Sequence, residues 1–327
     1  MTMRIAVFGA GGWGRNHVRT FCALLGPENV VVCDPDPVRL EAMREAHPGI
    51  ETCDRPRRDG VGAVVIAAPA VTHHELARDA LRDGLHVLVE KPMTLTSAEA
   101  EELVHLAEET ERVLMVDHLL EYHPGIVELK RRIDAGDLGR LLHLTSRRLN
   151  LGVIRSEENA LWSLAPHDIS VILCLLNEEP VRVRARGETY LQDGICDLAH
   201  VDLVFGSSVS AHVHVSWLDP VKVRSLSVVG EEKMAVFDAA GPNLTLFDAG
   251  ATREADRFVP RRGDAVDVPL PAEEPLRTVA EAFLRSIETG TLPLADGRDG
   301  LRVVRVLEAA QASLDAGGET VRIGGNR

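Results

Sequence analysis

The sequence predicts an α/β protein in two parts: a doubly wound parallel sheet over residues 1–120, then an α+β part with a largely antiparallel sheet over 121–327. Three observations carry this. From residue 3 to about 120, short β-branched runs alternate with helical stretches, a spacing that implies parallel strands wound on both faces. A glycine cluster, Gly9-Ala10-Gly11-Gly12-Trp13-Gly14, follows the first run directly. Beyond residue 120 strand follows strand with few helices between, and period-two alternation marks a sheet covered on one face.

The first run is Ile5–Phe8; others follow at Val30–Cys33, 63–67, His86–Val89 and 113–116. Helical patterns lie between them near 14–25, 37–46, 73–82 and 97–110. Two of these begin with capping-box signatures, Thr72-x-x-Glu75 and Thr96-x-x-Glu99, in which the threonine and the glutamate satisfy each other's backbone amides. The second part starts with a helix at about 124–135, a strand at 141–149 and a helix at about 164–176. Strands are then expected at 181–190, 196–205, 208–217, 221–229, 233–238 and 243–248. Alternation is plainest in His200-Val201-Asp202-Leu203 and from Ser210 to Val215. Residues 251–273 read as a polar, proline-containing loop, and helices near 275–289 and 298–316 close the chain.

At 327 residues the chain exceeds what one core usually serves, so two domains are expected, 1–120 and 121–327. A net charge of −14 argues against nucleic acid and anionic membrane as partners, because both would repel it. The five cysteines are scattered with no C-x-x-C pair, so neither a disulfide framework nor a thiolate zinc site is expected. His73-His74 are neighbours, His212 and His214 alternate along a strand, and no H-E-x-x-H occurs; no metal site is expected. No signal peptide and no apolar run of about eighteen residues is present, which points to a cytoplasmic protein.

The glycine cluster matches G-x-G-x-x-G through Gly9, Gly11 and Gly14, between a strand and a helix. Gly9 permits the tight turn, Gly11 lets backbone approach a pyrophosphate, and Gly14 allows close packing of helix on strand. Free amides at the helix start then face the phosphates. Asp34 ends the second strand, where its carboxylate accepts hydrogen bonds from both hydroxyls of an adenosine ribose. It is followed by Pro35-Asp36-Pro37 with no adjacent arginine to hold a 2′-phosphate, so NAD is preferred to NADP.

Glu90-Lys91-Pro92 follows the fourth run. Proline keeps Lys91 extended at the carboxyl end of the strand, the edge that lines the ligand crevice in open α/β sheets. The chain has four lysines against 32 arginines, so a lysine here is either kept for its titratable amine or is a solvated loop residue.

The glycine motif with Asn16-His17, Ala67-Ala68-Pro69 leading to Thr72-His73, and Glu90-Lys91-Pro92 resemble the glucose–fructose oxidoreductase/inositol dehydrogenase (Gfo/Idh/MocA) family. Asp117-His118, Tyr122-His123-Pro124, the segment Asn159 to Asp168 and the stretch Pro275 to Leu314 continue the resemblance over nearly the whole chain. It implies a Rossmann domain followed by an open-faced sheet domain, a homodimer or homotetramer through that sheet, and NAD-dependent oxidoreduction of a sugar or cyclitol. Cofactor contacts are implied at Gly9, Gly11, Gly12, Trp13, Gly14, Asp34, Pro69, His73, Glu90 and Lys91. Lys91 and His167 are implied as the catalytic pair, with substrate contacts at Lys91, His118, Arg148, Asn150, Arg155, Trp162, His167 and Asp168. The stretch Arg147 to Asp168 looks most like members acting at C3 of UDP-N-acetylhexosamines or their uronic acids.

Histidine suits proton transfer because its ordinary pKa lies near neutrality. Arg148 and Arg155 have the fork geometry to hold a diphosphate or carboxylate, or are surface charge. One position departs from the family: many members carry an aspartate four residues before the histidine, where this chain has Ser163, which reads as an N-cap. Asp168 suits the positive end of the following helix. The preferred reading is an NAD-dependent oxidoreductase of a nucleotide-linked hexose. The alternatives are a dehydrogenase of a free cyclitol or unactivated sugar, and a non-catalytic NAD- or sugar-sensing regulator on the same scaffold.

Overall fold

The computed structural model describes residues 3–239 and 243–323. The chain forms two compact units, one of Met1–Leu119 with Glu274–Val304, the other of Leu120–Glu273 with Arg305–Arg327.

The first unit opens with β1 (Ile5–Phe8), α1 (Gly12–Leu25), β2 (Val30–Cys33), α2 (Pro37–Ala46) and β3 (Glu51–Cys53). It continues with β4 (Ala63–Ile66), α3 (His73–Arg82), β5 (His86–Val89), α4 (Ser97–Glu109) and β6 (Leu114–Val116). All six strands are parallel, in the order β3-β2-β1-β4-β5-β6. Every residue of β1, β2 and β4 is buried, so these strands read as unbroken apolar runs rather than alternations. The sequence pattern missed β3, because Glu51-Thr52-Cys53 is a short, half-buried edge strand with no apolar run. Strand order reverses about β1 and β4, which opens a crevice outside their carboxyl ends. Gly9, Asp34, Ala67, Glu90 and Asp117, the residues that follow β1, β2, β4, β5 and β6, all leave the sheet along that edge.

The second unit contains α5 (Pro124–Asp134), β7 (Leu141–Leu149), α6 (Ala160–Leu164) and α7 (Pro166–Leu176). Then come β8 (Pro180–Glu188), β9 (Leu198–Phe205), β10 (Ser210–Ser216), β11 (Val223–Gly230), β12 (Met234–Asp238), β13 (Asn243–Glu254) and β14 (Arg257–Val268). The helix expected at about 164–176 is α7, and the short α6 precedes it, separated from it by Ala165. Along β9 and β10, Ala199, Val201, Leu203, Ala211, Val213 and Val215 are buried, while His200, Asp202, His212 and His214 are not. The expected loop at 251–273 is mostly strand: β13 and β14 pair antiparallel from Leu244↔Val268 to Glu254↔Arg257. Most β14 side chains are exposed, so neither face imposes an apolar alternation that the sequence could display.

After β14 the chain contributes α8 (Pro275–Thr289) and the first part of α9 (Gly297–Asp315) to the first unit; the rest of α9 and β15 (Val321–Arg322) belong to the second. The second sheet is β14-β13-β12-β11-β7-β10-β9-β8-β15, antiparallel except between β7 and β10. A single sequence boundary at 120 does not describe this return. Among the described residues no helix is long and apolar enough to cross a membrane.

The two expected capping boxes differ. Thr96 accepts from the Glu99 amide at 3.2 Å while Glu99 accepts from the Thr96 amide at 3.2 Å. Thr72 instead closes a short 3-10 turn and donates its hydroxyl to the Pro69 carbonyl at 2.8 Å. Thr96→Ala should therefore cost about 1 kcal/mol in denaturant unfolding, whereas Thr72→Ala should cost clearly less. Equal losses would show that the reciprocal box at Thr96 contributes nothing beyond a single hydroxyl hydrogen bond.

Candidate functional site

The turn from β1 into α1 is built by an interlock of two glycines. Gly9 has φ +99°, and a Cβ there would come 2.5 Å from the Ala67 carbonyl oxygen. A Cβ at Gly14 would collide with the Gly9 carbonyl. Gly11 and Gly12, by contrast, face open space. No side chain caps α1 and no acidic residue lies in its first turn, so its leading amides are left for an anion. These features fit a dinucleotide pyrophosphate. Trp13 sits half-exposed beside them.

Asp34 is buried, and its carboxylate accepts from the Ala10 amide at 2.7 Å and the Asp36 amide at 2.8 Å. The glycine loop and the Asp34 carboxylate are thus one hydrogen-bonded assembly. No arginine is adjacent to Asp34 in the sequence. The structure nevertheless brings Arg39, from the first turn of α2, to 3.4 Å from Asp34 and 3.4 Å from Asp36. One exposed guanidinium shared by two carboxylates leaves a net negative charge, so the preference against a 2′-phosphate stands.

At the next strand ends, His73 directs its ring nitrogens at the Pro92 carbonyl (2.8 Å) and the Ala68 carbonyl (2.9 Å). It braces the loops that carry Pro69 and Lys91. Glu90 and Asp117 converge on His17 of α1, whose Nε2 lies 3.0 Å from Glu90 Oε1 and 3.4 Å from Asp117 Oδ2. Burial works against an imidazolium here, but the two carboxylates outweigh it and His17 is pushed up to about 10. Burial, then the Asp117 charge, hold Glu90 above the usual carboxylate range, and His17 and Lys91 act in the opposite direction. His118 is oriented by Asp299 of α9, Nδ1 to Oδ2 at 2.8 Å. The approach to α9 runs antiparallel to β6, with Val116 N–H donating to the Ala295 carbonyl at 2.9 Å.

In the second unit, Asp168 lies in the first turn of α7, as its charge suggested, and is also the partner of two side chains from β7. Arg148 Nε donates to Asp168 at 2.6 Å and Ser146 Oγ donates to it at 2.6 Å, all three buried. Arg148 is thus engaged within its own unit. Arg224, opposite Arg148 on β11, is pulled below its ordinary value by burial and then by the Arg148 charge. With Ser146, Arg148 and Asp168 it lines a small pocket, and nothing in its local sequence singled it out.

Asn150 donates its backbone N–H to the Ser216 carbonyl at 3.1 Å, and exposed Arg155 pairs with Glu158 at 3.0 Å. Trp162 donates its indole N–H to Gln311 at 3.1 Å. His167 is the second residue of α7 and half-buried. Ser163 is not an N-cap. It is buried within α6, whose cap is Asn159, accepting from the Trp162 amide at 3.1 Å.

Comparison with known proteins places these features in context. Residues 3–118 match the model of an oxidoreductase family with an NAD-binding Rossmann fold, and residues 126–236 match the GFO/IDH/MocA C-terminal domain. UDP-N-acetylglucosamine 3-dehydrogenase of Acidithiobacillus ferrooxidans is 28% identical over 96% of this chain and 98% of its own. A crystal structure of that enzyme superposes with a TM-score of 0.84 at 26% identity, covering 97% and 99% of the two chains. Inositol 2-dehydrogenase 1 of Saccharopolyspora erythraea is 30% identical over 89% of this chain and 96% of its own. Levoglucosan dehydrogenase in complex with NADH and levoglucosan shares the fold, with a TM-score of 0.85 at 19% identity over 99% of this chain and 100% of its own.

Calorimetric titration should find NAD bound more tightly than NADP. Asp34→Ala should weaken NAD by about 10–100-fold, the loss of charge-assisted hydrogen bonds worth about 1.5–3 kcal/mol, and should narrow the preference. A wild-type protein that prefers NADP would remove Asp34 from the ribose.

Proposed function

The chain belongs to the Gfo/Idh/MocA family of NAD-binding oxidoreductases, and from that premise we propose that it moves hydride between nicotinamide and C3 of a nucleotide-linked hexose. The observation that carries this reading is the end-to-end match to a UDP-N-acetylglucosamine 3-dehydrogenase, over 96% of one chain and 98% of the other. The glycine interlock, the amides of α1 and Asp34 fit the cofactor, which when bound supplies the hydride acceptor or donor. The chain's own residues handle the proton. His167 takes it from the reacting hydroxyl, and the Lys91 ammonium stabilises the oxyanion that develops. The reading includes self-association into a dimer or tetramer through the polar face of the second sheet, where His200, Asp202, His212 and His214 are only partly covered.

A free cyclitol is the second reading, favoured by the 30% identity to an inositol 2-dehydrogenase. NADH formation from UDP-N-acetylglucosamine and from myo-inositol separates the two. A higher kcat/KM for the cyclitol would overturn the choice of substrate and leave the reaction class intact.

Lys91→Ala and His167→Ala should each lower turnover by about 10²–10⁴-fold, the usual contribution of a positioned proton-transfer group, with NAD affinity nearly unchanged in His167→Ala. Full turnover in either variant would remove that residue from the chemistry.

Ser163→Asp restores the carboxylate that many relatives carry one turn before the histidine. It should raise the basicity of His167, so that the base form is lost at a higher pH and the acid limb of the kcat/KM profile moves up. It should also lower the thermal midpoint, because the new carboxylate enters a buried position. An unchanged profile with unchanged activity would show that residue 163 does not act on His167.

A further inference from the structure

His17 has no task in the reaction as proposed, yet it lies at the centre of a deeply buried charge cluster of the first unit. Its side chain is 1% exposed and that of Asp117 is 0% exposed. Among the described residues no hydrogen bond reaches either oxygen of the Asp117 carboxylate. Burying an ionised carboxylate without hydrogen bonds is costly unless a cation lies beside it, and His17 Nε2 at 3.4 Å is that cation. The same nitrogen is 3.0 Å from Glu90.

We infer that His17 is a positioning residue for Lys91: as an imidazolium between Glu90 and Asp117 it keeps Glu90 ionised, and the Glu90 carboxylate in turn anchors the Lys91 ammonium at the edge of the sheet. The charges in play come from three elements. α1 supplies His17, the end of β5 supplies Glu90 and Lys91, and the end of β6 supplies Asp117. His118, next along the chain, is turned to Asp299 instead. His17 and Lys91 both favour the ionised form of Glu90, against burial and the Asp117 charge. Without His17, two buried carboxylates this close cannot both stay ionised, and one takes up a proton. Glu90 is the one that burial already favours in its acid form. Its protonation removes a negative charge that acts on the Lys91 ammonium, and the lysine gives up its proton more easily.

His17, Glu90 and Asp117 each offer a ligand atom within 4.8 Å of the others, so a divalent cation is the rival occupant. A proton on His17 balances the cluster without one.

The consequence for turnover rests on the catalytic reading of Lys91, whereas the charge test does not use substrate. With four lysines in the chain, reductive ¹³C-methylation gives few lysine resonances, and the one lost in Lys91→Arg identifies Lys91. In His17→Asn its titration midpoint should fall by about 1–3 units. In the double variant His17→Asn/Asp117→Asn, which removes one cation and one anion together, it should return towards wild type. The kcat/KM profile should shift and recover in parallel, while NAD titration and circular dichroism confirm that each variant is folded. An unshifted Lys91 in folded His17→Asn overturns the inference, and so does a double variant no closer to wild type than the single. Should His17→Asn not fold, the double variant decides alone: wild-type titration of Lys91 supports the inference and a displaced one overturns it. Stoichiometric divalent metal in the purified protein, lost in His17→Asn, would overturn it in favour of a metal centre. Inactivity towards every sugar, with the expected Lys91 shifts, would count against the catalytic reading alone.

Discussion

The backbone of Gly14 rests against the carbonyl of Gly9 with no room for a side chain between them, and much of the first unit's chemistry follows from that contact. It seats α1 closely on β1 and aims the free amides of its first turn outward along the carboxyl edge of the sheet. One turn further on, the same seating brings His17 against the ends of β5 and β6, where Glu90 and Asp117 emerge. The loop is held from its other side by the Ala10 amide on Asp34 and the Gly9 amide on the Cys33 carbonyl. The free amides of α1, the Asp34 carboxylate and a buried charge cluster are therefore set by one close approach of helix to strand. Loss of the glycine at 14 would disturb all three together.

How much of this was legible beforehand depended on whether the determining interactions were local. β1, β2 and β4 announced themselves because burial on both faces demands apolar residues at every position. The reciprocal cap at Thr96 was legible because its two partners are three residues apart. The same spacing at Thr72 misled, since the chain there takes a 3-10 turn towards Pro69 and the hydroxyl finds a nearer acceptor. β14 was illegible for the opposite reason. An exposed edge strand is held by backbone hydrogen bonds to β13, and backbone pairing leaves no mark on side-chain periodicity.

The site divides along the same line. Gly9, Gly11, Gly14, Asp34 and Lys91 stand beside strand ends that the pattern located, so their residue types could be given meaning. Arg39 escaped because the turn into α2 folds it back beside Asp34, a return that adjacency in sequence does not express. Arg148 looked like an outward clamp because its fork suits anions; the anion it holds is Asp168, on a helix that packs behind its own strand. Ser163 looked like a cap because the following Pro166 marks a helix start, but a second helix already begins at Asn159.

The partner of His118 is the clearest case of what a linear reading omits. Asp299 lies 181 residues away and reaches His118 because residues 295–296 run along β6 before α9 begins. A unit that looks complete at residue 120 therefore lacks one of its own site-orienting side chains until the chain has built the second sheet and returned. The His118–Asp299 contact is correspondingly long-range, and closing a loop of that length carries an entropic cost that the assembled unit offsets. His17, Glu90 and Asp117 come from within the first 120 residues, and the buried charge cluster needs only α1 and the ends of β5 and β6. The first unit thus holds two kinds of histidine at one edge. His17 is fixed by local topology and carries charge for the cluster around Lys91; His118 is fixed by the return of the chain and has its ring held by a carboxylate from elsewhere.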